Sequence, residues 1–501
     1  MSYSMPEIML GGYNIDADVL KAIIAGKIKP EDAVLTPETI AAAYGRVSRS
    51  NKTLAELRRE AVADVRRARE SVENITHKMG HKSIAEHAYF NLDFNGVSRL
   101  AVELIEQHRL AAYTERSQRF VKFGDDFFVP PEIVKIGLAD KFVELYQLMF
   151  RTYNELYVVL RKYFFEKDSL VESQLSAETV KNLENLAKED ARYAIGLAVQ
   201  TTFGGSFNGN ELELVIRHLL SHESAEARFI GDKIKELVQP LAPSLVKYCM
   251  PVKFFQSLPA AIAEAADWCL PHLDGDGAKE RVNHLEANHQ PDEVVIAAIL
   301  YESKVSDFQN CLAIVKRLSP DEKKRIYWEI MRRRQIHDNV TRHFEMAEFT
   351  FDLVVSASLY AQLKRHRICT QLPVAYQLDL GHTVPASIQE CDLVSKLEAV
   401  IEASEMMYQT ILDRTDSQFL ATYALTNAHR RRIIVKMNLR EFFHFAKERC
   451  AQFAQWDIRH TADKMVDMVK LIAPLTGELL CGKDVYEKIR EEYSKQFEDE
   501  E

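Results

Sequence analysis

Gln107-His108-Arg109-Leu110-Ala111-Ala112-Tyr113-Thr114-Glu115-Arg116-Ser117-Gln118-Arg119-Phe120 is the stretch that decides how this chain is read. An altered echo of it stands far downstream, as Arg365-His366-Arg367-Ile368-Cys369-Thr370-Gln371-Leu372-Pro373-Val374-Ala375-Tyr376-Gln377. The first copy keeps the Glu115/Ser117/Arg119 end and has lost the leading arginine. The second keeps Arg-His-Arg and has lost the other end. Together they read as two halves of one divided site.

The flanks of the two copies repeat as well. Residues 88–94 and 348–353 both alternate apolar with polar side chains, the mark of a half-buried strand. Ser98 and Ser356 then stand as caps for helices expected over residues 99–110 and 357–368. Further upstream, Thr36-Pro37-Glu38 reads as a helix start, and Pro291-Asp292-Glu293 echoes it. Residues 271–292 are polar and rich in Gly, Asp and Asn, and serve as the linker. Repetition in the same order on both sides of a linker indicates a tandem duplication. The expected domains are 1–270 and 293–501. Other helices are expected over residues 53–80, 132–165, 177–200, 211–236, 393–413 and 438–473, and Gly204-Gly205-Ser206 reads as a turn.

Composition narrows the class. The chain has 501 residues, enough for two cores, with 47% hydrophobic and 28% charged residues, as in ordinary globular proteins. No apolar run reaches the roughly 18 residues of a membrane span, and the N-terminus shows no basic-then-apolar leader pattern. A formal net charge of -10 argues against a general nucleic-acid binder but allows a small anionic ligand held by local arginines. The seven cysteines form no CxxC pair. Reduced thiols and a cytoplasmic setting are therefore expected.

Four clusters carry candidate chemistry. Gln362, Arg365 and His366 fall at i, i+3 and i+4 of the expected helix, while Arg367 points elsewhere; the cluster reads either as a charged grip or as a solvated basic helix end. Glu115-Arg116-Ser117-Gln118-Arg119 combines a hydroxyl, backbone N–H groups and guanidinium forks that suit a phosphate, or forms a plain surface loop. Asn438, Arg440, His444 and Arg449 punctuate an aromatic helix, and an amphipathic core helix would look the same. The His81-Lys82-Ser83-Ile84-Ala85-Glu86-His87 run matches no metal-binding spacing, and no metal is expected.

These residues resemble the flavin-dependent thymidylate synthases. The first half carries His81-x-Ser83-x-x-Glu86-His87, Gly96-Val97-Ser98-Arg99 and His108-Arg109 followed at the family's distance by Ser117-x-Arg119. The second carries Gln362-x-x-Arg365-His366-Arg367, Asn438-x-Arg440, Arg449 and Ala454-Gln455-Trp456-Asp457-Ile458. The resemblance implies an α+β fold, here two tandem synthase-like domains, each a small antiparallel sheet with long helices. It implies reductive methylation of dUMP to dTMP, with FAD as cofactor and methylenetetrahydrofolate and NADPH as co-substrates.

Residue by residue, the resemblance assigns Glu115, Arg116, Ser117, Gln118, Arg119, Arg192, Gln362, Arg365 and Arg449 to the nucleotide. It assigns Ser83, Glu115, Arg365, His366, Arg367, Asn438, Arg440 and His444 to the flavin. Arg449 is the expected catalytic group, acting as an electrostatic stabiliser. The losses are complementary. Leu104, Gln107, Asn210 and Leu219 replace family residues in the first half; Pro373, Ala375, Gln377 and Thr422 do so in the second, and His444 stands where the family usually has Asn. Family sites lie between chains of a tetramer, so a homodimer with composite sites is expected. Alkylation of another pyrimidine nucleotide, and non-catalytic flavin or nucleotide binding, are the competing readings.

Overall fold

Two small antiparallel sheets organise the protein. The computed structural model describes residues 4–167, 175–272 and 280–498. The chain divides into two units, Met1–Asp274 with Pro385–Asn427, and Gly275–Val384 with Ala428–Glu501. The first sheet runs β1 (Glu7–Tyr13), β2 (Tyr89–Ser98), β4 (Gln200–Asn208), β3 (Ala111–Glu115). The second runs β5 (Val282–Ala287), β6 (Glu348–Ser356), β8 (Arg430–Asn438), β7 (Thr370–Tyr376), in the same order. Identical strand order in sequence-divergent halves is what a duplication leaves behind.

Alternation sets each central strand. Phe90, Leu92 and Phe94 of β2 are fully buried, as are Phe349, Phe351 and Leu353 of β6. The β2–β4 pairing shifts register between Asn95 and Val97, where Gly96 takes a φ of 69°. Helices Gly209–Ser221 and Ala225–Val238 supply Leu212, Ile216, Ile230 and Ile234 to the first core. Helices Leu439–Arg449 and Trp456–Ile472 supply Phe442, Phe445, Ile458 and Met465 to the second.

One buried link recurs in both halves. Ser98 Oγ caps its helix and donates to Glu226 at 2.7 Å; Ser356 Oγ does the same to Asp457 at 2.6 Å. Asp457 also receives Arg281 at 3.1 Å, whereas Glu226 receives the Tyr423 hydroxyl at 2.7 Å.

Several expectations are corrected. The helices after Ser98 and Ser356 stop at Glu106 and Leu363, because the chain must turn there to enter β3 and β7. The Gly204-Gly205-Ser206 turn is the middle of β4; a Cβ on Gly205 would run into the Phe207 and Phe94 rings. The helix expected to residue 200 ends at Ala191, leaving room for β4. The stretch 132–165 is two helices, Pro131–Lys135 and Ala139–Lys167, as 211–236 and 438–473 are each two. Of the linker 271–292, residues 273–279 lie outside the described residues, while 282–287 form β5 and Pro291 opens a helix. Residues 385–427, from the second half of the sequence, group with the first unit. Among the described residues no helix is long and apolar enough to cross a membrane.

Candidate functional site

In the first unit, β3 carries Glu115 at its end, and the chain leaves the sheet after the Arg116 N–H donates to the Thr202 carbonyl at 2.9 Å. Glu115 therefore sits on a strand rather than in the loop expected for it. Arg99 Nη1 lies 3.3 Å from both Glu115 oxygens, with both side chains nearly fully buried. Residues 116–119 form the turn. The Arg119 N–H donates to Ser117 Oγ at 3.2 Å, and the Arg119 guanidinium pairs with Glu189 and lies 5.4 Å from the Phe120 ring centroid. The Ser117 hydroxyl oxygen thus serves as an acceptor within its own turn.

Arg192 follows the C-terminus of helix Ala177–Ala191 and is only 3% exposed. Its Nε and Nη2 make no hydrogen bond, an arrangement that costs free energy unless an acceptor arrives. Burial depresses its pKa, Glu189 and Tyr193 oppose that, and Arg119 and Arg99 add to it. Asn427 Nδ2 donates to the Arg192 carbonyl at 3.1 Å and to Gln118 Oε1 at 3.4 Å, while Gln118 Nε2 is buried without an acceptor. Arg116, Ser117, Gln118 and Thr201 line a cavity of about 50 Å³. The structure thus gathers Glu115, Arg116, Ser117, Gln118, Arg119 and Arg192 into one region rich in hydrogen-bond donors.

Ser83 stands apart, on the short turn Lys82–His87, and lines a pocket of about 720 Å³ with Arg46, Arg49, Arg67, Ile75 and His81. Arg46 is held there by Ser71 Oγ at 3.1 Å and the Arg67 carbonyl at 3.0 Å. The remnant His108 is a core residue, 3.6 Å from Glu211 and 3.3 Å from His218, whose imidazole is pushed down to about 4 by burial and the neighbouring His108.

In the second unit, Gln362 is buried in the last turn of helix Ala357–Leu363 and donates to Gln455 at 3.3 Å. Because that helix ends at Leu363, Arg365, His366 and Arg367 lie in the following turn; Arg365 is exposed, Arg367 half-buried and His366 only 3% exposed. Arg449 closes helix Leu439–Arg449, with its Nε donating to His366 Nε2 at 2.9 Å and its Nη2 to the Gln362 carbonyl at 3.2 Å. The other ring nitrogen, His366 Nδ1, is 3.1 Å from Glu441 Oε1. His366, Glu441 and His444 bring ligand-type atoms within 4.8 Å of one another, yet both His366 nitrogens are already engaged.

Two residues of the expected flavin set have structural tasks. Asn438 caps helix Leu439–Arg449 by accepting the Glu441 N–H at 2.9 Å, and Arg440 donates to Glu345 at 2.6 Å. His444 is exposed, its ring 5.5 Å from that of His366. The sequence reading gave no role to Glu189, Glu441, Arg99 or Asn427. Spacing offers a clue only for Glu189, three residues before Arg192.

The sequence profile of the thymidylate synthase complementing protein family matches residues 32–244 and again residues 284–475. The chain belongs to this family. The double match agrees with the duplicated strand order. A UPF0159 protein of Thermoplasma acidophilum is 22% identical over 454 residues, spanning 83% of this chain and 89% of that protein. A flavin-dependent thymidylate synthase of Geobacter sulfurreducens is 34% identical over 170 residues, 29% of this chain and 72% of that enzyme. The crystal structure of a UMP/dUMP methylase, PolB from Streptomyces cacaoi, aligns over 39% of this chain and 92% of that one, at 17% identity and a TM-score of 0.33. The synthase relative thus matches under a third of this family member, and the UPF0159 relative matches most of it.

Proposed function

We propose that the chain is a flavin-dependent thymidylate synthase that methylates dUMP to dTMP, using methylenetetrahydrofolate and NADPH. The observation that carries the reading is Arg192: a buried guanidinium with two nitrogens lacking acceptors, beside the Glu115-to-Arg119 turn. A phosphate supplies the missing acceptors in the bidentate geometry that arginine favours. Arg119 and Arg192 would bind the phosphate, with Gln118 Nε2 as a further donor. Gln362 and Arg365 would hold the nucleotide from the other half-site, and Arg449 would stabilise negative charge at the N3/O4 edge of the pyrimidine.

The flavin set is Ser83, Glu115, Arg365, His366, Arg367, Asn438, Arg440 and His444. The pocket beside Ser83 joins arginines with an apolar wall at Ile75, which suits a cofactor with a diphosphate and flat rings. What FAD supplies when bound is carriage of the one-carbon unit and the hydride; the protein supplies position and charge. The complementary losses fit a homodimer that imitates the family tetramer and works in the cytoplasm.

The experiment is rescue of a thymidine-requiring strain. Wild type restores growth and purifies yellow; Arg119→Ala and Arg449→Ala stay yellow and do not restore growth. Rescue by Arg449→Ala, or a colourless wild type, rejects the reading.

A further inference from the structure

We infer that Glu441 is a positioning residue that fixes the guanidinium of Arg449 by way of His366. The inference rests on the role proposed above for Arg449. Its geometry stands on three side chains of the second unit.

The direction of every hydrogen bond in this chain follows from one end. A guanidinium has only donors. His366 Nε2, 2.9 Å from Arg449 Nε, must therefore be the unprotonated nitrogen. The ring proton then sits on Nδ1 and is donated to Glu441 Oε1 at 3.1 Å. His366 is 3% exposed and Glu441 6%, so water is a poor substitute for either partner. Without an acceptor at Glu441 the ring is free to carry its proton on Nε2, where it would oppose the Arg449 N–H. Burial, aided by Arg449 and His444, holds the imidazole well below its usual value, so the ring stays neutral and acts as a spacer rather than a proton carrier.

Arg449 is fixed at a second point. Its Nη2 donates to the Gln362 carbonyl at 3.2 Å. Bonds from Nε and Nη2 share one edge of the guanidinium, set its plane and thereby aim its remaining N–H groups. The same acid that orients the imidazole thus orients the charge proposed to face the pyrimidine.

The first unit provides a matched control within the molecule. Asn208 caps helix Gly209–Ser221 as Asn438 caps its own, and Glu211 follows three residues later as Glu441 does. His108 lies 3.6 Å from Glu211. Leu219, buried in the core, occupies the position of Arg449, and His218 meets His108 Nε2 at 3.3 Å instead. An acid–histidine pair therefore persists where no arginine depends on it. In the first unit that pair serves the fold; in the second it also carries Arg449.

The test uses the full-length chain with four variants. Glu441→Met keeps the volume and removes the acceptor; Glu441→Gln keeps an acceptor. Glu211→Met and Glu211→Gln are the same changes in the first unit. Ring nitrogen signals of histidine labelled with nitrogen-15 report the His366 tautomer, and titration with dUMP reports affinity. In wild type His366 shows one tautomer, protonated on Nδ1. Glu441→Met loses that single tautomer and weakens dUMP at least tenfold; Glu441→Gln restores both. The Glu211 variants alter neither. An unchanged His366 tautomer in Glu441→Met, or equal loss of dUMP affinity in Glu211→Met, overturns the inference. Should Glu441→Met not fold, a wild-type His366 protonated on Nε2 is the result that overturns it, and protonation on Nδ1 with retention in Glu441→Gln supports it. Wild type that binds no dUMP refutes the proposed function instead, and the tautomer readout still decides the positioning role.

Discussion

At the scale of single residues, Arg192 is the most exacting feature. A buried charge without full hydrogen bonding lowers the stability of the unliganded protein. Its replacement by methionine should leave the melting temperature unchanged or raise it by a few degrees, since about 1 kcal/mol corresponds to a shift of that size. The same variant should lose the stabilisation that dUMP gives wild type, expected at about 2.7 kcal/mol when ligand stands at a hundredfold its dissociation constant. Thermal shift with and without dUMP measures both. A variant that melts far below wild type and still responds to dUMP would make Arg192 structural. The resemblance to the family pattern is what singled out this arginine in the sequence. Glu189 and Glu441 were not, because each is defined by a partner 70 or 75 positions away in the chain. Helical spacing reports on neighbours within one turn, and these partners come from other elements. The spacing argument for Gln362, Arg365 and His366 failed for a related reason: their helix ends at Leu363, and the turn places His366 inward and Arg365 outward.

At the scale of elements, the recurring link between the strand-capping serine and the acid of a following helix has a measurable signature. Glu226 accepts the Ser98 N–H and hydroxyl and the Tyr423 hydroxyl, tying β2 to helix Ala225–Val238. Burial pushes its carboxyl up to about 7, against the opposing pull of those hydrogen bonds. The unfolded chain ionises this group near the ordinary carboxylate value of 4.5, so the native state binds the extra proton between about 4.5 and 7. Stability from this group is thus present in acid and is lost as pH rises through that window, by on the order of 3 kcal/mol in all. Glu226→Gln should flatten the decline. The melting temperature of wild type relative to the variant should fall between pH 5 and pH 7.5; a parallel pair of profiles would contradict the assignment. The strands β2 and β6 were readable because their buried faces alternate with polar ones. By contrast β4 hid behind Gly204-Gly205, which resemble a turn; the glycine at 205 is there because two phenylalanine rings occupy the space of a side chain. Strands β1, β3, β5 and β7 were missed because their burial depends on pairing with strands distant in sequence, a tertiary fact, and β8 was missed although its buried Ile433, Val435 and Met437 alternate along the chain.

At the scale of the whole chain, duplication in sequence is not division in structure. Residues 385–427 lie in the second half of the sequence, yet they complete the first unit. Helix Val394–Thr415 buries Leu397, Val400, Ile401 and Ile411 there. The Leu197 N–H donates to the Leu425 carbonyl and the Asn427 N–H to the Ile195 carbonyl, both at 2.8 Å, and the Tyr146 hydroxyl donates to the Tyr423 carbonyl at 2.6 Å. Burial of a large aliphatic side chain contributes about 2 kcal/mol, so the four named residues alone represent on the order of 8 kcal/mol, as much as the net stability of many domains. Cutting the chain in the polar stretch before residue 280, as the sequence invites, should therefore fail. Residues 1–272 expressed alone should melt without a cooperative transition and elute as aggregate. Residues 1–272 joined to 385–427 by a short flexible linker should elute as a defined species and melt cooperatively, because every hydrogen bond named here is then restored. Circular dichroism melts and size-exclusion chromatography of the two fragments decide the matter. A sharp melt from residues 1–272 alone would mean that the long helix rests on a unit already complete, and that the two repeats had kept separate folds.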